Sequence, residues 1–325
     1  MELTNKEIHD AVTGARDIMI RQREKYDDMF RESRNCLSKF LDGNFVKKPA
    51  RTEIVVGEIR VIWKKRYDYG NKMRIIHISD LHFHRNKNDN TEITKTLKNI
   101  RHGYPESYVV VTGDITDDGH PQQYENALDA LRMFEDRIFV APGNHDYGAI
   151  GNFYSRERAK RFDEMLSIPL NQGGTFSGEN KPVVNIVRDG ESKIMFIALD
   201  SNLETEVPFD FACGEIGETQ LRTLDLILKN EHTSTIIILF FHHHPFMMND
   251  PFMHLRDAKN LARIVYGRVD FILFGHRHKR EMWRDKWGTS IMAADDTPGK
   301  RTVGEILIRN GEMSMSYIPA EELAT

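Results

Sequence analysis

The chain has 325 residues, 40% of them hydrophobic, with a net charge of −4 and a pI near 6.4. That is enough apolar material for a large core, and it excludes a general electrostatic attraction to nucleic acid or to an anionic membrane. Two cysteines, Cys36 and Cys213, exclude a disulfide framework, so a reducing, cytoplasmic setting is the expectation.

The first 30 residues are charged throughout, so no leader is expected there, and no apolar run approaches the ~20 residues a bilayer requires. Residues 1–72 hold 16 Lys+Arg against 12 Asp+Glu and stand apart from the acidic remainder. Thr4 with Glu7 is a capping box, and Ile8, Val12, Ala15, Met19, Tyr26, Phe30, Leu37 and Leu41 recur at helical spacing. The pattern predicts one long amphipathic helix, or two in a hairpin, ending near Gly43. Such a helix either lies across the main domain or serves self-association into a homo-oligomer. Charges over residues 21–28 interrupt the stripe and favour the former. Alternation over residues 53–63 around Gly57 predicts a hairpin, which completes an extension of 1–72 before a main domain of 73–325.

From residue 73 strands and helices alternate. Apolar strands are predicted over 74–78, 108–111, Ile138–Ala141, 183–187, 193–199, 236–241 and Phe271–Phe274. Helices are predicted over Thr91–Gly103, 122–134, 218–229 and 258–266. Antiparallel strands follow over 290–293, 303–308 and 313–318, with Asn310-Gly311 as a hairpin turn. This alternation predicts a layered α/β fold.

Five of the strands end in polar clusters. Asp80 and His82 follow the first, and Gly113, Asp114 and Asp117 the second. Pro142-Gly143-Asn144-His145-Asp146 follows the third. Two later strands lead into His242-His243-His244-Pro245 and Gly275-His276-Arg277-His278. One such cluster is an ordinary turn, but five at strand ends lie where open α/β sheets place their chemistry. Three carboxylates, an amide and at least four imidazoles are the mixed oxygen and nitrogen donors of Mn, Fe or Zn, and too many for one ion. A pair of ions ~4 Å apart suits phosphoryl transfer.

The ordered set Asp80-x-His82, Gly113-Asp114, Gly143-Asn144-His145-Asp146, His243-x-Pro245 and Gly275-His276-x-His278 resembles the calcineurin-like metallophosphoesterase superfamily over residues 73–280. Three finer phrases, over 78–82, over 113–119 and at Gln220-Leu221, look most like its class III cyclic-nucleotide and glycerophosphodiester phosphodiesterases. The resemblance implies two packed mixed β-sheets flanked by helices. It also implies two divalent metal ions: Asp80, His82, Asp114 and His278 at the first, and Asp114, Asn144, His243 and His276 at the second. His145 would then steady the phosphate or protonate the departing oxygen, oriented by Asp117 or by Asp146. Of the three consecutive histidines, the His-x-Pro phrase selects His243.

Other residues have local readings. His77, inside a strand, reads as a core histidine and His120 as a helix start; His84 and Arg277 are candidate phosphate contacts. Substrate choice falls to the loops 147–176, 204–212 and 246–254. The last is rich in apolar groups, and Phe246 and Met247 are candidates to stack a base or bury a lipid-like group. The expected activity is hydrolysis of a small phosphodiester, a cyclic or other small nucleotide foremost, by in-line attack of metal-activated hydroxide. A phosphomonoesterase or nuclease of the same fold is the alternative, and a scaffold without turnover is the alternative of another class. Nucleic acid is not expected as a partner, because the main domain is acidic.

Overall fold

Buried strands with apolar residues on both faces set the architecture. The computed structural model describes residues 72–320 and the strands Thr52–Val56 and Ile59–Trp63, apart from residues 150, 179, 190–191, 204–211, 231–234, 248–249, 251 and 310–311. The expected N-terminal helix and the Asn310-Gly311 turn lie outside the described residues.

Two large sheets carry the chain. We number the strands β1 (Thr52–Val56), β2 (Ile59–Trp63), β3 (Lys72–Ile78), β4 (Tyr108–Thr112), β5 (Ile138–Ala141), β6 (Gly148–Ala149), β7 (Phe153–Tyr154), β8 (Val183–Asp189), β9 (Ser192–Ala198), β10 (Thr235–Phe240), β11 (Phe271–Phe274), β12 (Glu281–Lys286), β13 (Thr289–Ala293), β14 (Thr302–Arg309) and β15 (Glu312–Pro319). One sheet has the order β15-β14-β3-β4-β5 and the other β1-β2-β8-β9-β10-β11-β13-β12; β6 and β7 form a separate small hairpin. Within the first, β3, β4 and β5 run parallel, as connections through the helices Thr91–Gly103 and Pro121–Leu131 require. Within the second, β9, β10, β11 and β13 run parallel. The two sheets pack face to face: Phe139 of β5 stacks on Phe196 of β9 with centroids 3.9 Å apart, and Tyr108 of β4 lies 5.9 Å from the same ring. The fold is thus the expected mixed α/β sandwich with flanking helices.

Local chemistry explains most boundaries. The helix Thr91–Gly103 buries Ile93, Leu97 and Ile100 at helical spacing. His120 is the N-cap of Pro121–Leu131, where its Nδ1 accepts from Gln122 N at 3.2 Å and Gln123 Oε1 accepts from His120 N at 3.0 Å. That helix stops short of residue 134 and passes into a 3₁₀ stretch, Arg132–Arg137, containing Glu135 at φ 55°.

One sheet assignment differs from expectation. Residues 290–293 do not join the last two strands; β13 pairs parallel with β11 and antiparallel with β12. The sequence of β12, EMWRDK, hides its strand character because it occupies the sheet's edge, where charged residues such as the exposed Arg284 and Asp285 are favoured. No helix among the described residues is long and apolar enough to cross a membrane.

Candidate dinuclear metal centre

The clusters that end β3, β4, β5, β10 and β11 meet at one place, and the backbone there is unusual. Asp80 (φ 55°), His82 (φ 49°), Asp114 (φ 48°), His276 (φ 78°) and His278 (φ 50°) all occupy the left-handed region without being glycine. Each costs ~1–2 kcal/mol, and such strain collects at functional sites. The loops are tied together to hold it. Asp80 N donates to Gly113 O at 3.1 Å, His82 N to Asp114 O at 2.9 Å and Phe83 N to Ile115 O at 2.8 Å, so the β3–β4 pairing continues beyond the strands. Gly143 permits the approach of the third loop, since a Cβ there would lie 2.2 Å from Asp114 N and Oδ1.

Side chains then converge. Ligand atoms of Asp80, His82 and His278 lie within 4.8 Å of one another, as do those of Asp80, Asp114 and His242. His278 Nε2 is 3.3 Å from Asp80 Oδ1, and His82 Nε2 is 4.0 Å from Asp114 Oδ2. His242 Nε2 sits 3.2 Å from Asp114 Oδ2, 3.0 Å from Asn144 Oδ1 and 3.1 Å from His276 Nδ1. Its Nδ1 meets the Thr112 carbonyl at 2.8 Å, which fixes the proton on Nδ1 in the neutral ring and aims the Nε2 lone pair inward.

The first two of the three consecutive histidines approach the site by different atoms. His242 joins the cluster, whereas His243, selected by its distance from Pro245, turns its Nδ1 to Ser201 Oγ at 2.9 Å. His243 still lies close by, with its Nε2 buried and its ring centroid 4.6 Å from that of His276. His244 is buried and its Nε2 lies 3.2 Å from Glu281 Oε2.

The donors fit divalent cations. Both ring nitrogens of His82 and Nε2 of His243 and of His276 are buried without a hydrogen-bond partner, a condition that costs ~1–3 kcal/mol per group unless something else satisfies it. Burial pushes His276 down to about 3 and His243 well below its ordinary value, so both rings stay neutral with a lone pair to offer. Burial alone would raise Asp114, but the charge and hydrogen bond of His242, with His145 and His82, hold it well below the usual carboxylate range. Burial likewise opposes a charge on His242, yet Asp114, then Asp80 and the Thr112 carbonyl, bring it up to about 9. The carboxylates therefore create a field that favours positive charge at the point where the imidazoles converge.

His145 stands beside this cluster, its ring edge-on to His82 with centroids 4.7 Å apart. Its backbone N donates to Asp114 Oδ1 at 2.9 Å, and its Nδ1 lies 2.8 Å from the Asp117 carbonyl oxygen. A carbonyl can only accept, so Nδ1 carries the proton and Nε2 is left as the working atom. Neither expected carboxylate performs this orientation. The Asp117 carboxylate sits between His82 Nδ1 at 3.9 Å and His84 Nδ1 at 3.7 Å. The buried Asp146 carboxylate accepts from Gly143 N, Ile115 N, Thr116 N and Thr116 Oγ1 at 2.8–3.2 Å and so clamps two of the loops together. Burial, with Asp114 adding to it, pushes Asp146 up to about 6.

The rim is mixed. Asp80, His82 and His84 line one side of a cavity of about 510 Å³, with Asp89, Glu92, Asp296 and Arg301 also in its lining. Arg301 is engaged by Glu92. Asp296 and Arg301 belong to no motif and flank the short helix Thr297–Lys300 far along the chain. Arg277 lies 4.0 Å from Glu281 Oε2, and Phe246 packs against Trp283 and Trp287 at 4.8 and 5.0 Å with the Lys286 ammonium 3.7 Å from its ring centre. Phe246 is thus committed to its own aromatic cluster, and Met247 is half-buried beside it in sequence. His77 is buried, with its Nε2 2.9 Å from Thr112 Oγ1, as a core histidine should be.

The chain is similar to known proteins. The calcineurin-like phosphoesterase profile matches residues 73–280. A 3′,5′-cyclic-nucleotide phosphodiesterase of Nostoc sp. is 26% identical over 213 residues, 63% of this chain and 67% of that protein. Among solved structures, a dimetal phosphatase from Danio rerio superposes with a TM-score of 0.55 at 17% identity, covering 76% of this chain and 96% of its own. GAP50 of Plasmodium, described as the anchor in the inner membrane complex, superposes with a TM-score of 0.53 at 11% identity, covering 78% of this chain and 86% of its own. At these identities both structures speak for the fold alone.

Proposed function

Because the chain belongs to the calcineurin-like phosphoesterase family, and is a metal-dependent phosphoric ester hydrolase, we propose that its substrates are small phosphodiesters, cyclic nucleotides foremost. The observation that carries the reading is the meeting of seven donor residues around His242 and Asp80, with the His145 ring beside them. Asp80, His82, Asp114 and His278 would hold one ion, and Asp114, Asn144, His242 and His276 a second, with Mn, Fe or Zn all compatible with the donors. Such ions supply Lewis acidity, which brings the pKa of water toward neutrality and offsets charge on phosphoryl oxygens.

The chain's own residues do the rest. His145, held at Nδ1 by the Asp117 carbonyl, presents Nε2 to the ester oxygen that leaves. With its Nδ1 proton held by that carbonyl, the ring must take a second proton from solvent at Nε2 before it can act. As a water oxygen bonds to phosphorus and the ester bond opposite breaks, the departing oxygen takes the Nε2 proton and leaves as an alcohol, while the attacking water releases its proton to solvent. The cavity beside His82 and His84 has room for one ester arm. With Glu92 paired to Arg301, Asp89 and Asp296 remain in its lining to repel a further phosphate, which favours a small diester over a polyanion.

The test is hydrolysis of an aryl phosphodiester and the matching monoester by metal-stripped protein refilled with Mn or Zn, with Asp114→Asn as the blank. Metal-dependent turnover that prefers the diester supports the reading. A monoester preference moves the assignment to a phosphomonoesterase. No turnover with ions bound favours a scaffold without turnover.

A further inference from the structure

His145 is confined at both ring nitrogens. Nδ1 is fixed by the Asp117 carbonyl. On the Nε2 side stands the turn between β6 and β7, where Gly151 is buried at φ +69°. A Cβ at this position would lie 2.5 Å from Asn144 Nδ2, 2.7 Å from His145 Nε2 and 2.8 Å from His145 Cδ2. The same residue's carbonyl accepts from Asn144 Nδ2 at 3.0 Å. That bond decides which end of the amide faces inward, since only Oδ1 is left to meet His242 Nε2 at 3.0 Å. The turn is itself held, with Gly151 N donating to Gly148 O at 3.3 Å and Asn152 N to Ala149 O at 3.1 Å.

We propose that Gly151 is a positioning residue for the leaving-group side of the site. Its carbonyl orients the Asn144 amide, and its lack of a side chain keeps His145 Nε2 open to the departing ester oxygen. The inference rests on the hydrolase reading above, in which His145 supplies a proton. A methyl group here must displace the imidazole or the amide, because the backbone on its other side is tied by the two turn hydrogen bonds.

The experiment compares Gly151→Ala with Gly267→Ala. Gly267 has a similar φ of +63° but open space where its Cβ would lie, so its variant carries the left-handed strain without the collision. Hydrolysis is read over aryl diesters of graded leaving-group acidity and an alkyl diester. Gly151→Ala is expected to lose at least tenfold on the alkyl diester and markedly less on nitrophenyl esters, whose leaving group needs no proton. Added to His145→Ala, it should produce little further loss. Gly267→Ala should match wild type throughout. Equal losses across all leaving groups, additivity with His145→Ala, or identity of the two alanine variants would overturn the proposal. The ¹⁵N–¹H signals of the His145 ring provide a reading independent of turnover: Gly151→Ala should shift them and Gly267→Ala should not. Unmoved signals in both variants also overturn it. If wild type hydrolyses no ester while the His145 signals do shift, the hydrolase reading has failed and the positional claim stands by itself.

Discussion

The two sheets contribute unlike things to the seam between them. The five-stranded sheet ends in Asp80, His82, Asp114, Asn144 and His145, and so brings all the negative charge and the amide. The eight-stranded sheet ends in His242, His276 and His278, and brings only imidazoles. One side therefore supplies the field that draws a cation, and the other supplies imidazoles that complete its shell once a metal displaces their protons. Ions held by both sides would join the sheets across their packed faces, so metal affinity and the stability of the seam should be linked.

That contrast can be broken from either side. The largest effect is expected from Asp114→Asn on the charged side, because Asp114 faces His82, His242 and the His145 amide together. Elemental analysis should show loss of bound metal, and the rate should fall beyond the ~10–100-fold typical of losing an outer partner of a ligand. Next comes His145→Ala, which should lower kcat by ~10²–10⁴ while bound metal stays unchanged, as the proposed role of acid and not of ligand requires. A chelator should then lower the thermal midpoint of wild type, and by less in Asp114→Asn, which has little metal to lose.

The smallest effect belongs to a histidine outside the site. Burial lowers His77 to about 3, against an unfolded value near 6.5, so the folded chain keeps it neutral. The stability this represents is complete above the unfolded pKa and is lost as pH falls from about 6.5 toward 3, at roughly 1.4 kcal/mol per unit. His77→Gln should therefore flatten the acid limb of the stability curve, by about 1.5 to 2 kcal/mol between pH 6.5 and 5 in denaturant titrations. A curve parallel to that of wild type would show that His77 does not titrate between the two states.

The parts legible beforehand are those in which local sequence decides the outcome. The helix Thr91–Gly103 was readable because its apolar positions keep one face, and the His120 start because a cap and its Gln123 partner sit three residues apart. The strand ends were readable because buried parallel strands are plain apolar runs. What escaped depended on contacts between distant segments. Weighing His242 against His243 requires knowing which ring nitrogen reaches Asp114, and that is fixed by the packing of one sheet against the other. The partner of His145 is a backbone carbonyl, which leaves no mark in the sequence. The strand β12 was hidden by its charged edge position, and Asp296 and Arg301 reach the cavity from the far end of the chain.

The most direct test of the account is the number of ions bound per chain in wild type, His242→Ala and His243→Ala, measured by titration with Mn or Zn. The account predicts two ions in wild type, one in His242→Ala and two in His243→Ala. Two ions retained in His242→Ala with one lost in His243→Ala would contradict it, and would place the second set around the histidine that here turns to Ser201.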